Sequence, residues 1–291
     1  MNKSPSIEAF VISIDAETRN ASLYSQIKRE GIASRWVPAV DMRGPGPELA
    51  DHLYDGRTCN AVLGRPISRA EAGCALSHLK AARLAFEASL DWVLVIEDDA
   101  ILGKNISPVI ERAVELDSGR PMVFTLHSTN VPLMISSSKK QLGDDGLGVI
   151  GRLYLPPSST VAYLMNRGAI ELFSQKNRVQ GLADWPPWSY SVDFWGCFPW
   201  PVQTGDTSAS TLAAAREAAL GPNRPTGLAR SMLRKTMRLL HPGRVYFHSR
   251  ALNGFWPYFS RVLLRQLALW VAAAKRKIAG PGAAGRFGLP S

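Results

Sequence analysis

Three consecutive acids, Glu97, Asp98 and Asp99, end the apolar run 92–96 in "DWVLVIEDDAIL". Like charges this close repel one another, and the end of a buried strand desolvates them, so an unassisted cluster there opposes folding. Alternate residues of an extended chain share a face, which puts Glu97 and Asp99 together and leaves Asp98 pointing away or helping from behind. Such a pair of hard oxygen donors suits Mg²⁺ or Mn²⁺, which take few protein carboxylates and complete their shell with water and substrate phosphates. The plainer use of the same acids is structural: Asp98 or Asp99 caps the next helix and the others face solvent.

Elements must bring such acids to a ligand. "IEAFVISID" has the β-branched content of a strand, "SLYSQIKREGI" reads as a helix stopped by Gly31, and "SRWVPAVD" as a second strand. That βαβ opening predicts an α/β fold with an open, mostly parallel sheet flanked by helices. Ser68 with Glu71 three residues later is a capping box. Behind it, Ala72, Ala75, Leu76, Leu79, Ala82 and Phe86 recur at helical spacing, so this helix packs on the sheet. Residues 92–96 and 121–128 read as buried strands. "VIGRLYL" and "STVAYLM" read as a hairpin or two mixed strands before a helix, "RGAIELFSQK". The segment 181–206, crowded with Trp and Pro, reads as irregular but ordered, because so many large rings are not left in water. Ligands of open α/β sheets bind beyond the carboxyl ends of strands, where these three acids stand.

The order of these pieces resembles a known family. "ISRAEAGCALSHLKAA" (67–82) followed by "VLVIEDDAIL" is similar to glycosyltransferase family 25, the lipooligosaccharide and collagen galactosyltransferase group, with its E-x-G-C-x-L-S-H pattern and hydrophobic strand ending in E-D-D. "VISIDAETRNAS", "VPAVDMRG" and "STVAYLMNRGAIELF" extend the resemblance over roughly residues 7–205. Two departures stand out: Ser13 occupies the usual Asn position of the opening strand with Arg19 displaced, and A-V-D-G is here "AVDMRG".

The resemblance implies a GT-A-like fold and an inverting transfer of a hexose from a nucleotide donor, typically UDP-galactose, to a lipid-linked oligosaccharide. In that reaction Glu97 and Asp99 would hold Mn²⁺ or Mg²⁺ against the diphosphate. The acceptor hydroxyl needs a general base, for which the later carboxylates Asp184 and Asp193 are candidates. Asp184 is preferred, since it follows the helix where the family carries an aspartate and Trp185 and Trp188 could raise its pKa and stack on a sugar; locally it also reads as an Asp opening a turn. Ser13, Asp41, Asp98, Arg19, Ser77 and His78 are the candidates around the nucleotide. Arg19 is equally an ordinary surface residue, and a lone His is more often structural. His248 could complete the metal shell or meet lipid phosphate. Cys59, Cys74 and Cys197 are odd in number without metal spacing and are read as reduced thiols, Cys74 as a small buried residue.

Charge divides the chain. Residues 1–205 hold 20 Lys+Arg and 22 Asp+Glu (20 − 22 = −2), whereas 206–291 hold 14 and 2 (14 − 2 = +12), which together make the net +10. The expected organisation is a catalytic domain, 1–205, and a basic amphipathic helical extension, 206–291, with a disordered end. Its apolar stripe, Val262 to Ala274, contains Arg265 and is shorter than the ~20 residues of a span, so it reads as lying on an anionic membrane surface. A continuous apolar stripe is of no use to a phosphate backbone, so nucleic acid is not the expected partner. No N-terminal stretch has signal-peptide order, which predicts a cytoplasmic protein peripheral to the inner membrane. The competing functions are a Mg²⁺-dependent phosphohydrolase using the same acids and a non-catalytic membrane-binding protein.

Overall fold

The computed structural model describes residues 5–15, 21–42, 52–63, 67–104, 106–129, 134, 138–142, 148–153 and 156–205, without the side chains of 60–62, 187 and 190. The chain divides into two units, Met1–Pro225 and Thr226–Ser291, of which the second lies outside the described residues.

The opening is the expected βαβ unit: β1 (Ile7–Ser13), α1 (Ala21–Arg29) and β2 (Ala33–Pro38), with β1 and β2 parallel. After α2 (Gly56–Leu63) and α3 (Arg69–Glu87), β3 (Trp92–Glu97) returns parallel to β1 on its other side. The chain thus runs outward from β1 and then back past it, a switch point that leaves a crevice over the carboxyl ends of the three strands. Then follow β4 (Ala100–Leu102), α4 (Ile106–Glu115), β5 (Met122–Thr125), β6 (Lys140–Gln141), β7 (Val149–Arg152), β8 (Ala162–Asn166), α5 (Arg167–Ser174), β9 (Asp193–Phe198) and β10 (Val202–Thr204). The main sheet has the order β2-β1-β3-β8-β5-β9-β7-β6, in which β7 and β8 run against the rest; β4 and β10 form a separate antiparallel pair. The fold is α/β with a mixed sheet, as expected.

Strand parity divides the sheet into two cores. Ala9, Val11, Leu94 and Ile96 face the side covered by α1 and α4, while Phe10, Ile12, Val93 and Val95 face α3 and α5. A Val, Leu, Ile or Phe buried this completely contributes about 1.5–3 kcal/mol, and because both faces of β3 are covered, a one-residue slip would exchange its two sets of packing partners. The capping box of α3 is present in full, with Glu71 N–H donating to Ser68 Oγ (3.2 Å) and Ser68 N–H to Glu71 Oε2 (2.9 Å). Phe86, expected on the buried stripe, is corrected to a surface position: it is 41% exposed and covered on one face by the Arg167 guanidinium.

One open alternative is resolved and one expectation is corrected. Of the hairpin and the two mixed strands expected around β7 and β8, the mixed strands are found, since β8 is buried at every position and sits between β3 and β5. The Trp-rich stretch contains a 3-10 turn, Pro187–Ser191, and the regular strand β9.

Candidate active site

Parity decides where the first acid points. Ile96 belongs to the α1 side, so Glu97, the next residue, turns to the α3 face, where His78 stands one turn after Cys74. His78 Nε2 lies 3.2 Å from Glu97 Oε1, and Nδ1 lies 2.9 Å from the hydroxyl of Tyr163, the residue that pairs with Val95 across β8. Burial, with the charges of Glu97 and Cys74, holds the Tyr163 phenol well above its ordinary range. Nε2 donates to the Glu97 carboxylate, while the direction of the bond between Nδ1 and the Tyr163 hydroxyl follows the imidazole tautomer. Thr160 Oγ1 donates to the same oxygen at 2.8 Å. Burial alone would raise the Glu97 pKa, but these hydrogen bonds outweigh it and hold the carboxyl below its usual value. Both bonds fall on Oε1, so Oε2 is the oxygen left for a ligand.

Glu97 opens on a cavity of about 390 Å³ that occupies the switch-point crevice. Ser13 and Asp15 come from the end of β1, Asp41 from the exit of β2, Cys74 and Ser77 from α3, and Asp98 from the end of β3. Ser13 Oγ lies 2.7 Å from Asp98 Oδ2, fixing that carboxylate toward the cavity. Four carboxylates (Asp15, Asp41, Glu97, Asp98) therefore line one space, and no Lys or Arg is among its described lining residues. This donor set of hard oxygens fits Mg²⁺ or Mn²⁺.

The motif around α3 builds this wall. A Cβ on Gly73 would meet the Val40 carbonyl oxygen at 2.4 Å, so only glycine lets the helix approach the exit of β2 so closely. Ser77 Oγ accepts the Val40 N–H (2.8 Å) and donates to the Gly73 carbonyl (2.8 Å), which pins the segment that carries Asp41. Ser77 is thus a clamp on the wall as well as part of its lining.

The two candidate bases part company. Asp184 Oδ1 is 3.5 Å from Thr160 Oγ1, the hydroxyl that holds Glu97, so Asp184 stands near Glu97 although it does not line the cavity. The next residue fixes it: Trp185 has φ +61°, rare for so bulky a residue, with its ring wedged edge-on between Tyr163 (5.0 Å) and Phe194 (4.9 Å). At 6% exposure Trp185 is a core residue, and the expectation that it stacks on a sugar is corrected. Trp188 is half-buried and packs edge-on against Phe173. Asp193 starts β9 at the opposite end of the sheet, level with Met122, and is paired with Arg152 and with Arg120 (3.7 Å). The structure does not bring it to the site, and its partners account for it.

Asp99 is exposed and does not line the cavity. The alternation assumed for it ends because β3 stops at Glu97 and residues 98–99 form a turn, where the Asp99 carbonyl accepts the Gly205 N–H (2.8 Å). Arg19 and His248 lie outside the described residues. Two side chains escaped the reading of the sequence. Thr160 and Tyr163 lie 63 and 85 residues from their partners, Glu97 and His78, with no local signal. The reading of Cys74 as a small buried residue is corrected: it is half-buried and lines the cavity, on the helix face it shares with His78 four residues on.

Among curated proteins, none matches the sequence. A solved structure of a glycosyltransferase involved in the glycosylation of the major capsid of PBCV-1 is similar at 14% identity and a TM-score of 0.30, over 58% of this chain and 63% of that one. The profile of "Glycosyltransferase family 25 (LPS biosynthesis protein)" matches residues 6–178. More than half of the sequence, including β1 to β3, the α3 motif and the three acids, lies within that match, and the chain therefore belongs to glycosyltransferase family 25, a family of LPS-biosynthesis enzymes.

Proposed function

We propose that the protein transfers a hexose, galactose from UDP-galactose, with inversion onto a lipooligosaccharide or LPS acceptor, with Mn²⁺ or Mg²⁺ bound at the acids 97–99. One observation carries the reading: four carboxylates gather around a cavity at the switch point, with no Lys or Arg in its described lining. A divalent cation held among them would neutralise the charge of a nucleoside diphosphate entering that space. Glu97 and Asp98 face the cavity and Asp99 stands in the exposed turn beside them. The cation, when bound, supplies Lewis-acid neutralisation of the leaving diphosphate.

The chain's own residues do the rest. His78 and Thr160 fix the orientation of Glu97, and Ser13 fixes Asp98. Asp41 meets the ribose or base of the donor. Asp184, tied through Thr160 to the same site, takes the acceptor proton from the face opposite the departing nucleotide. Arg19 is assigned to the donor phosphates. The basic extension, 206–291, holds the catalytic domain, 1–205, at the cytoplasmic face of an anionic inner membrane next to its lipid-linked acceptor; among the described residues no helix is long and apolar enough to cross one.

Release of free nucleotide from a panel of UDP- and GDP-hexoses, with acceptor and Mn²⁺, tests the reading. UDP-galactose should be turned over fastest, and Asp184→Asn should abolish turnover while leaving donor binding intact. Full activity of that variant would remove Asp184 from the mechanism, and release of UMP with hexose 1-phosphate in place of UDP would point to a phosphohydrolase.

A further inference from the structure

The cavity wall carries a second donor set of different chemistry. Cys74 and His78, four apart on α3, share a face, and the end of β3 brings Glu97 to them. The Cys74 Sγ, a ring nitrogen of His78 and a Glu97 carboxylate oxygen all lie within 4.8 Å of one another. Tetrahedral zinc with bonds of about 2.0–2.3 Å separates its ligands by about 3.3–3.8 Å, so a contraction of roughly 1 Å closes the set. Thiolate and imidazole select a borderline cation over Mg²⁺ or Mn²⁺. The outer partner that a metal-bound imidazole needs is already in position, since the Tyr163 hydroxyl is 2.9 Å from His78 Nδ1.

We propose that Cys74, His78 and Glu97 form a Zn²⁺ site whose fourth position opens on the cavity. On binding, the Cys74 thiol loses its proton to solvent, and His78 takes the tautomer that ligates through Nε2 and donates Nδ1–H to the Tyr163 oxygen. Because Glu97 is common to both sets, Zn²⁺ and the hard cation exclude one another. That exclusion rests on the function proposed above; the zinc site itself does not.

The full chain, freed of metal and titrated with Co²⁺ as a spectroscopic stand-in, should show thiolate-to-cobalt charge-transfer absorption that saturates at one equivalent and is bleached by Zn²⁺. Cys74→Ala should remove the band and weaken Zn²⁺ binding by at least about 100-fold, the upper end for loss of a mere outer partner. The unmodified protein offers a test free of folding effects: Zn²⁺ should protect Cys74 from alkylation, mapped by mass spectrometry. Cys59 and Cys197, buried and with thiols pushed up to about 12 by burial, stay unreacted as internal controls. No charge-transfer band in the wild type, a band that survives in Cys74→Ala, or unprotected Cys74 overturns the site. Mn²⁺ paramagnetic resonance separates the two claims: Zn²⁺ should displace bound Mn²⁺, and simultaneous binding of both ions would contradict the shared Glu97 while leaving the cobalt result standing.

Discussion

Thr160→Val is the sharpest perturbation of the site. Valine keeps the shape of the buried threonine, so no cavity forms, but Glu97 Oε1 loses the donor that now sits 2.8 Å away. A hydrogen bond to a charged group contributes about 1.5–3 kcal/mol, against about 0.5–1.5 kcal/mol for a neutral pair. The Glu97 pKa is depressed in the folded protein, so its contribution is fully present above the unfolded value of ~4.3 and is lost as pH falls through the folded value. The stability gap between wild type and variant should therefore be about 1.5–3 kcal/mol at pH 7 and narrow toward about 0.5–1.5 kcal/mol as the pH falls through the folded Glu97 value. Urea unfolding in chelator, with the folded Glu97 titration followed by NMR to set the acid end of the range, measures it without interference from metal. A gap below about 0.5 kcal/mol at pH 7, or one that stays the same once Glu97 is protonated, would refute the claim that Thr160 stabilises an ionised Glu97.

Three further outcomes follow from the same geometry. Gly73→Ala, which at an ordinary helix position would stabilise, should instead cost about 1–3 kcal/mol in thermal or urea unfolding and weaken UDP binding, because its Cβ meets the Val40 carbonyl and displaces the segment carrying Asp41. Asp193→Asn should leave kcat unchanged and lower stability by no more than about 1 kcal/mol, as expected for a partly exposed ion pair with Arg152 remote from the cavity. Deleting residues 228–291 should abolish flotation with anionic liposomes while nucleotide release from a soluble acceptor assay persists.

How much of this was legible depended on the range of the interactions. The capping box of α3 and the buried run 92–96 are local signals, and the structure carries both as expected. Parity sends Glu97 to the face of α3, which makes the His78 contact intelligible once the helix is known to cover that face. The same rule failed at Asp99, because it holds only while the chain stays extended and β3 ends two residues earlier. Strand β9 was hidden because its pairing with β5 and β7 is long-range and its aromatic run is broken by neighbouring prolines. Asp184 and Asp193 looked alike in sequence. What separates them is Thr160 beside one and two arginines beside the other, and neither arrangement leaves a local pattern.

The central claim is that acids at the end of β3 hold a divalent cation through which a nucleoside diphosphate enters a cavity lined by carboxylates. Calorimetric titration of UDP into the full chain, once with Mn²⁺ and once with excess chelator, tests it most directly. Saturable binding with Mn²⁺ that disappears in chelator, and in Glu97→Gln with Mn²⁺ present, is the expected result. Equal UDP affinity in chelator would contradict it.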